Sequence, residues 1–169
     1  EGVAVLVIPG DVALGQAPKG TRADFAAPLP PRIVPQRQEI ERLAGLLNGS
    51  QAVTLLCGAG VAGAHDEVVA LAAKLKAPIV HAYRGKEWIE WDNPYDVGMT
   101  GLIGFSSGYH AMMECDTLLM LGTDFPYRNF YPDSAKVAQV DRDPSALGRR
   151  VQIDIGIVGD VAEATAALA

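Results

Sequence analysis

Five short apolar runs, at 52–57 (AVTLLC), 78–82 (PIVHA), 117–121 (TLLML), 136–140 (KVAQV) and 151–158 (VQIDIGIV), alternate with segments of helical pattern. This alternation limits the possible folds more than any other feature of the chain. Apolar runs too short for helices, bounded by turn residues, read as strands buried on both faces. Strands joined by helical crossovers run parallel, so the expected class is α/β, a three-layer α/β/α Rossmann-like parallel sheet. Ligands of such sheets bind outside the carboxyl ends of the strands, and function is sought there.

The helical segments support this. After Gln36 the residues Ile40, Leu43, Leu46 and Leu47 share one face, and Asn48-Gly49 supplies a stop. HDEVVALAAKLK (65–76), a segment near 106–114, a short turn at DPSALG and a last helix from about Asp160 complete the pattern. Upstream, GVAVLVIPG reads as a buried strand closed by Pro9 and Gly10. Residues 13–35, with Pro18, Pro28, Pro30, Pro31 and Pro35, read as an extended connector, because proline breaks both helix and central strand. The chain looks like a piece cut from something longer, with its main domain at 36–169.

A length of 169 residues suits one such domain. With 14 Lys plus Arg against 20 Asp plus Glu, a broad nucleic-acid surface is not expected. Cys57 and Cys115 lack metal or CxxC spacing and read as buried reduced thiols, which points to a cytoplasmic address. No apolar run approaches the roughly 20 residues that span a bilayer. His65, His81 and His110 are scattered without metal spacing and read as core or capping histidines.

Four motifs lie after strands. GAGVAG, 58–63, is a G-x-G-x-x-G between a strand and a helix, where exposed amides can hold a pyrophosphate; three glycines in a tight turn are the plainer reading. The acid that an NAD site places at the next strand end is missing, with His81 and Tyr83 there instead; Asp141, at the end of KVAQV, is an acid of the right kind in a later place. MTGLIGFSSG, 99–108, thins its backbone with Gly101, Gly104 and Gly108, and Ser106 or Ser107 is a ready N-cap. GTDFPYRNFYP, 122–132, crowds rings, an acid and an arginine past a strand end. YRGKEWIEWDNPYDVG, 83–98, reads as a long loop in which Trp88 and Trp91 cover apolar surface or a neighbour. No self-contained catalytic centre is discernible.

Together GAGVAGAHDE, KAPIVHAYRGKEW, DNPYDVGMTGLIGFSSGYHAMMECDTLLMLGTDFPYRNFYP, KVAQVDRDPSALG and IVGDV closely resemble the central domain of thiamine-diphosphate enzymes of the pyruvate oxidase kind. The best match is to quinone-dependent pyruvate dehydrogenases. The resemblance implies a six-stranded domain that binds FAD through Thr100, Gly101, Leu102 and Ile103 and through Thr123, Asp124, Phe125, Pro126 and Tyr127. It implies that Asp141 takes the adenosine ribose hydroxyls, Gly58 and Gly60 the pyrophosphate, and Asp160 and Val161 the adenine end. Arg128 to Pro132 receives no role beyond packing the loop or meeting a neighbouring domain. Residues 1–12 correspond to the last strand of a preceding pyrimidine-binding domain, and a pyrophosphate-binding domain would follow. Those two domains would carry thiamine diphosphate and Mg2+, so this piece alone is expected to be catalytically silent.

The full enzyme implied is a bacterial homotetramer that converts pyruvate to acetate and CO2 and passes electrons through FAD to a quinone. It would be cytoplasmic, peripheral at the inner face of the membrane. Two competing readings stand beside it. One is an acetolactate synthase or decarboxylase with structural or absent FAD, which in that family carries a different phrase at 127–131. The other is a non-catalytic module for NAD or ADP.

Overall fold

The computed structural model describes residues 3–22, 26 and 29–169. The chain divides into two compact units, Glu1–Pro31 and Arg32–Ala169. In the first, residues 3–9 form no strand; a single helical turn, α1, spans Gly10–Ala13. Val3, Val5, Leu6 and Val7 are each more than 80% exposed, so the strand expected in this stretch is not formed by the described residues alone. A β-branched run is only a strand when a neighbour takes its backbone groups, and among the described residues of this unit there is none.

The second unit begins where the chain is pinned. Ile33 donates its N–H to the Asp160 carboxylate at 2.8 Å, and Asp160 donates its own N–H to the Ile33 carbonyl at 2.8 Å. Helix α2, Arg37–Asn48, follows, its start held by Glu39, whose carboxylate accepts the Gln36 N–H at 3.1 Å. Strands β1 (Val53–Cys57), β2 (Ile79–His81), β3 (Asp96–Met99), β4 (Thr117–Leu121), β5 (Lys136–Asp141) and β6 (Ile155–Val158) make one sheet in the order β3-β2-β1-β4-β5-β6. Every pairing is parallel. Helices α3 (His65–Leu75), α4 (Lys86–Ile89), α5 (Ser106–Met113) and α6 (Val161–Leu168) complete the unit.

Alternation along the strands loads both faces. Leu55, Cys57, Leu119, Leu121 and Val140 pack with Leu43 of α2, Val68 and Leu71 of α3 and Ala164 of α6. Leu56, Val80, Leu118, Met120 and Val137 pack with Met112 of α5 and with Phe125 and Tyr131 beyond β4. Each fully buried Leu or Ile side chain contributes about 1.5–3 kcal/mol by leaving water. The sheet is thus an apolar slab with a helix layer on each side, as expected.

The sixth strand sits inside what reads as a loop in the sequence. β3 is short, carries Asp96 and a Gly98 with φ +96°, and pairs with β2 through a register irregularity. Acid and glycine are poor strand formers, which hides it from pattern reading. Tyr83–Gly85 is a 3₁₀ turn and α4 follows directly, so the 83–98 segment is largely ordered structure. Trp91 stacks on His65, ring centroids 3.9 Å apart.

Candidate functional site

The strand order reverses direction between β1 and β4, which are neighbours in the sheet although their crossovers lead to opposite edges. Such a reversal opens a crevice at the carboxyl edge. There the structure has a cavity of about 480 Å³, lined by Gly58, Ala59, Ala82, Tyr83, Arg84, Met99, Thr100, Gly101, Leu102, Ile103, Thr123, Asp124, Phe125, Pro126 and Tyr127. That is within the usual range for a small-molecule site, about 300–1,000 Å³.

Nine expected contact residues, Thr100 to Ile103 and Thr123 to Tyr127, meet in this one cavity although some twenty positions separate the two runs. Thr100, Thr123 and Phe125 form its buried floor; Leu102, Ile103 and Tyr127 are exposed at its mouth. Gly101, at φ +107°, turns the chain so that a side chain here would press on the Phe125 ring at 3.2 Å. The Thr100 hydroxyl is buried without a hydrogen-bond partner. An orphaned hydroxyl on the floor of an apolar cavity is a ready contact for a polar edge of a flat ring.

The GAGVAG segment behaves differently. Gly58 stays at the cavity wall, but Gly60 does not line it. A Cβ on Gly58 would lie 2.4 Å from the Gly122 carbonyl oxygen, and one on Gly60 would lie 2.6 Å from the Gly122 Cα. These glycines let the exits of β1 and β4 touch backbone to backbone, with the Gly60 N–H donating to the Gly122 carbonyl at 2.9 Å. A 3₁₀ turn, Ala59–Val61, intervenes before α3 starts at His65, and Asp66 and Glu67 occupy that helix's first turn. The expected helix opening at the glycines is therefore displaced by several residues.

Asp141 ends β5 as expected, and its carboxylate accepts the Asp143 N–H at 2.9 Å. Burial raises its pKa, as do the nearby Asp143 and Asp124 carboxylates, while backbone N–H donors offset part of this. The Asp160 carboxylate is already engaged, by Ile33 and by Arg142 at 3.4 Å, and Val161 is buried in the core. Neither Asp141, Asp160 nor Val161 lines the cavity; they lie beyond it at the carboxyl edges of β5 and β6.

The 128–132 stretch proves to be the buttress of the cavity wall. The Tyr131 hydroxyl donates to the Phe125 carbonyl at 2.8 Å, and Phe125 meets Tyr127, Phe130 and Tyr131 ring to ring. The Asp124 carboxylate is held by Arg150, with contacts of 2.7 and 3.0 Å, and by Arg149 at 2.9 Å. Hydrogen bonding from Arg150 holds the Asp124 carboxyl below its usual range, with Arg149 adding to the effect. Behind the wall, buried Gln139 donates to the Thr123 and Ala146 carbonyls, each at 3.2 Å, and accepts the Gly148 N–H at 2.9 Å. Nothing in the sequence marks Gln139; only a polar residue amid the apolar KVAQV run could have drawn notice.

Two further expectations are corrected. Phe105 is the N-cap of α5, so Ser106 and Ser107 lie in its first turn, and Ser107 instead donates to the Val97 carbonyl at 2.6 Å. His81, read as a lone core histidine, is buried beside Glu90 and Asp96. Burial raises the Asp96 carboxyl, and Glu90 adds to it, against the opposing pull of His81. Cys57 and Cys115 are buried free thiols as expected, and burial pushes Cys115 up to about 11. Among the described residues no helix is long and apolar enough to cross a membrane.

Residues 40–168 match the family described as thiamine pyrophosphate enzyme, central domain. The chain is 63% identical over 168 residues to the uncharacterized 42.6 kDa protein in the isoamylase 3'region of Pseudomonas amyloderamosa, covering 99% of this chain and 42% of that protein. It is 30% identical to the acetolactate synthase large subunit of Corynebacterium glutamicum, over 99% of this chain and 28% of the relative. It is 26% identical to the pyruvate oxidase of Lactiplantibacillus plantarum, over 99% of this chain and 29% of the relative. The solved benzoylformate decarboxylase of Polynucleobacter necessarius shares the fold, with a TM-score of 0.70 at 21% identity over 88% of this chain and 29% of that one. The chain thus spans under half the length of these relatives. With its six-stranded parallel sheet and its matched residues, the chain belongs to the thiamine pyrophosphate enzymes, as their central domain.

Proposed function

We propose that the chain is the FAD-binding central domain of a pyruvate:quinone oxidoreductase. The observation that carries this reading is the cavity of about 480 Å³ at the carboxyl ends of β1 and β4, walled by the two runs that the family resemblance assigns to flavin. Its residues fit a flat, largely apolar ring with one polar edge. Leu102, Ile103 and Tyr127 would cover the ring faces, the Thr100 hydroxyl would meet a ring heteroatom, and the Asp141 carboxylate would take ribose hydroxyls. FAD, when bound, supplies electron transfer; this chain's residues hold and orient it and keep water from its ring. Thiamine diphosphate and Mg2+ would belong to flanking pyrimidine- and pyrophosphate-binding domains, in a tetramer peripheral to the cytoplasmic face of the membrane.

Titration of the purified chain with FAD, NAD and ADP, followed by calorimetry, tests the binding half. FAD is expected to bind more tightly than ADP, and ADP more tightly than NAD; tight NAD binding without FAD binding would sink the reading. An acetolactate synthase-like activity with structural FAD is the second reading, favoured by 30% identity to such a synthase against 26% to pyruvate oxidase. Anaerobic addition of pyruvate to the full-length enzyme separates the two. Bleaching of the flavin absorbance supports the oxidoreductase, and an unchanged spectrum with acetolactate formed supports the synthase.

Asp141→Asn carries a paired expectation. A carboxyl whose folded pKa is raised adds stability that is full only below its unfolded pKa and is lost as pH rises through the folded value. At pH 7 the ionised, partly buried group is therefore a net cost, and Asn keeps the acceptor for the Asp143 N–H. The variant should melt higher than the parent at pH 7, with the gain disappearing as pH falls through the carboxylate range. FAD affinity should fall about tenfold or more, the worth of one hydrogen bond to a charged group. Unchanged affinity would remove Asp141 from the site.

A further inference from the structure

We infer that His81, Glu90 and Asp96 form a binding site for one divalent transition-metal cation of the zinc class, next to the cavity and separate from it. The three residues come from different elements: His81 ends β2, Glu90 caps the C-terminus of α4, and Asp96 opens β3. His81 is 1% exposed, yet neither ring nitrogen has a hydrogen-bond partner, and the buried Asp96 Oδ1 has none either. Buried polar atoms left unpaired in this way cost several kcal/mol together, of order 1–3 each, unless something satisfies them.

The geometry shows what would satisfy two of the three, His81 Nε2 and Asp96 Oδ1. The His81 Nε2 lies 3.2 Å from Glu90 Oε2 and 3.4 Å from Asp96 Oδ1. Those separations are close enough for hydrogen bonds, but the ring nitrogen is aligned with neither oxygen. An imidazole nitrogen this close to two carboxylate oxygens and bonded to neither, with all three ligand atoms within 4.8 Å of one another, leaves one cation within reach of all three. With bonds of about 2.0–2.2 Å to zinc, ligand atoms of a tetrahedron stand about 3.4 Å apart. One imidazole and two carboxylates are a borderline-hard set that suits zinc, and water would complete four-coordination on the side of Glu90, whose side chain is partly exposed.

Lys86 is the competitor. Its ammonium sits against the same Glu90 Oε2 that faces His81, so a cation must displace it. The Lys86 side chain is half exposed on a flexible stem and can swing into solvent. Glu90 and Asp96 bracket the turn between α4 and β3, and the Thr100 N–H donates to the His81 carbonyl at 3.2 Å, so the cation would tie that turn to the edge of the cavity wall.

The test uses the purified chain stripped with EDTA and titrated with Zn2+ by calorimetry, with Co2+ absorption as a second readout. One zinc per chain is expected, with visible Co2+ bands of four-coordinate intensity. Glu90→Gln should lower affinity at least tenfold while leaving the metal-free melting temperature nearly unchanged, because Glu90 is partly exposed. Lys86→Met should tighten binding by freeing the Glu90 oxygen, and His110→Gln, at an exposed position, should change nothing. Absence of stoichiometric zinc binding in both the parent and Lys86→Met would overturn the inference. So would wild-type affinity in Glu90→Gln, or six-coordinate Co2+ spectra traced to His110. FAD titration of the same preparations reports on the cavity independently.

Discussion

Gly122→Ala is expected to destabilise the domain by about 2–4 kcal/mol and to lower its melting temperature by roughly 5–15 °C. Two costs combine. Gly122 has φ +55°, a left-handed conformation that costs a residue with a Cβ about 1 kcal/mol or more. The added Cβ would also lie 2.4 Å from the Gly60 Cα and 2.7 Å from its carbonyl carbon, both backbone atoms that cannot rotate aside. Relief would require β1 and β4 to part at their exits, breaking the Gly60 N–H to Gly122 carbonyl bond at the switch point. Overpacking of this kind costs about 1–3 kcal/mol and occasionally more, and each kcal/mol moves the midpoint of a domain this size by about 2–4 °C. Gly45→Ala in α2 is the control, since nothing lies within 4 Å of its Cβ; it should stabilise by about 0.5–1 kcal/mol. A Gly122→Ala midpoint within about 2 °C of the parent would show that the exits can part freely. If the cavity holds FAD as proposed, the same variant should weaken its binding, because Gly58 and Thr123 of the cavity wall flank the contact.

Much of the sheet was legible because burial writes itself into short apolar runs. The β4 run coincides with TLLML, and the other expected strands differ from their runs by one to four residues at an end. β3 was illegible for the complementary reason: an edge strand of four residues with an acid and a glycine has no periodic signature. The opening run at 3–9 differs in the other direction, since an apolar run forms a buried strand only where a partner exists, and the described residues offer it none. Pattern finds elements, while pairing decides which of them become strands.

The site was legible in its walls and illegible in its supports. Family resemblance located 100–103 and 123–127, and glycine placement in MTGLIG made the first of these a plausible backbone turn. The same reasoning assigned Gly60 to a phosphate, whereas its lack of a side chain serves contact between two strand exits. A glycine-rich sequence states that a Cβ is unwelcome and leaves open whether ligand or protein occupies the space. His81 with Glu90 and Asp96, and Asp124 with Arg149 and Arg150, are separated by enough chain that only the folded sheet brings them together.

Gln139→Leu should cost about 2–5 kcal/mol of stability and loosen the cavity wall at the same time. Gln139 is 2% exposed in the middle of β5, and its amide reaches three backbone groups of two different loops. Leucine matches the volume and would add apolar packing, so the loss is almost wholly polar. The Ala146 carbonyl keeps the Arg149 N–H, but the Thr123 carbonyl and the Gly148 N–H lose the partner that satisfies them. Each buried group left unpaired costs about 1–3 kcal/mol. Gln139→Glu distinguishes this account from a mere packing defect. At pH 7 the ionised carboxylate of that variant would face two carbonyl oxygens, with only the Gly148 N–H in its favour, so the fold should hold its pKa above the usual carboxylate value. A raised folded pKa gives stability that is present below the unfolded value and lost as pH rises through the folded one. The Glu variant should therefore be less stable than the Leu variant at pH 7 and recover as pH falls, when its protonated carboxyl donates to one carbonyl again. Urea unfolding of both variants across that pH range measures it. Parallel stability curves for Glu and Leu would mean that the amide does not hold Thr123, and the wall of the cavity would then rest on Tyr131 and the arginine pair alone.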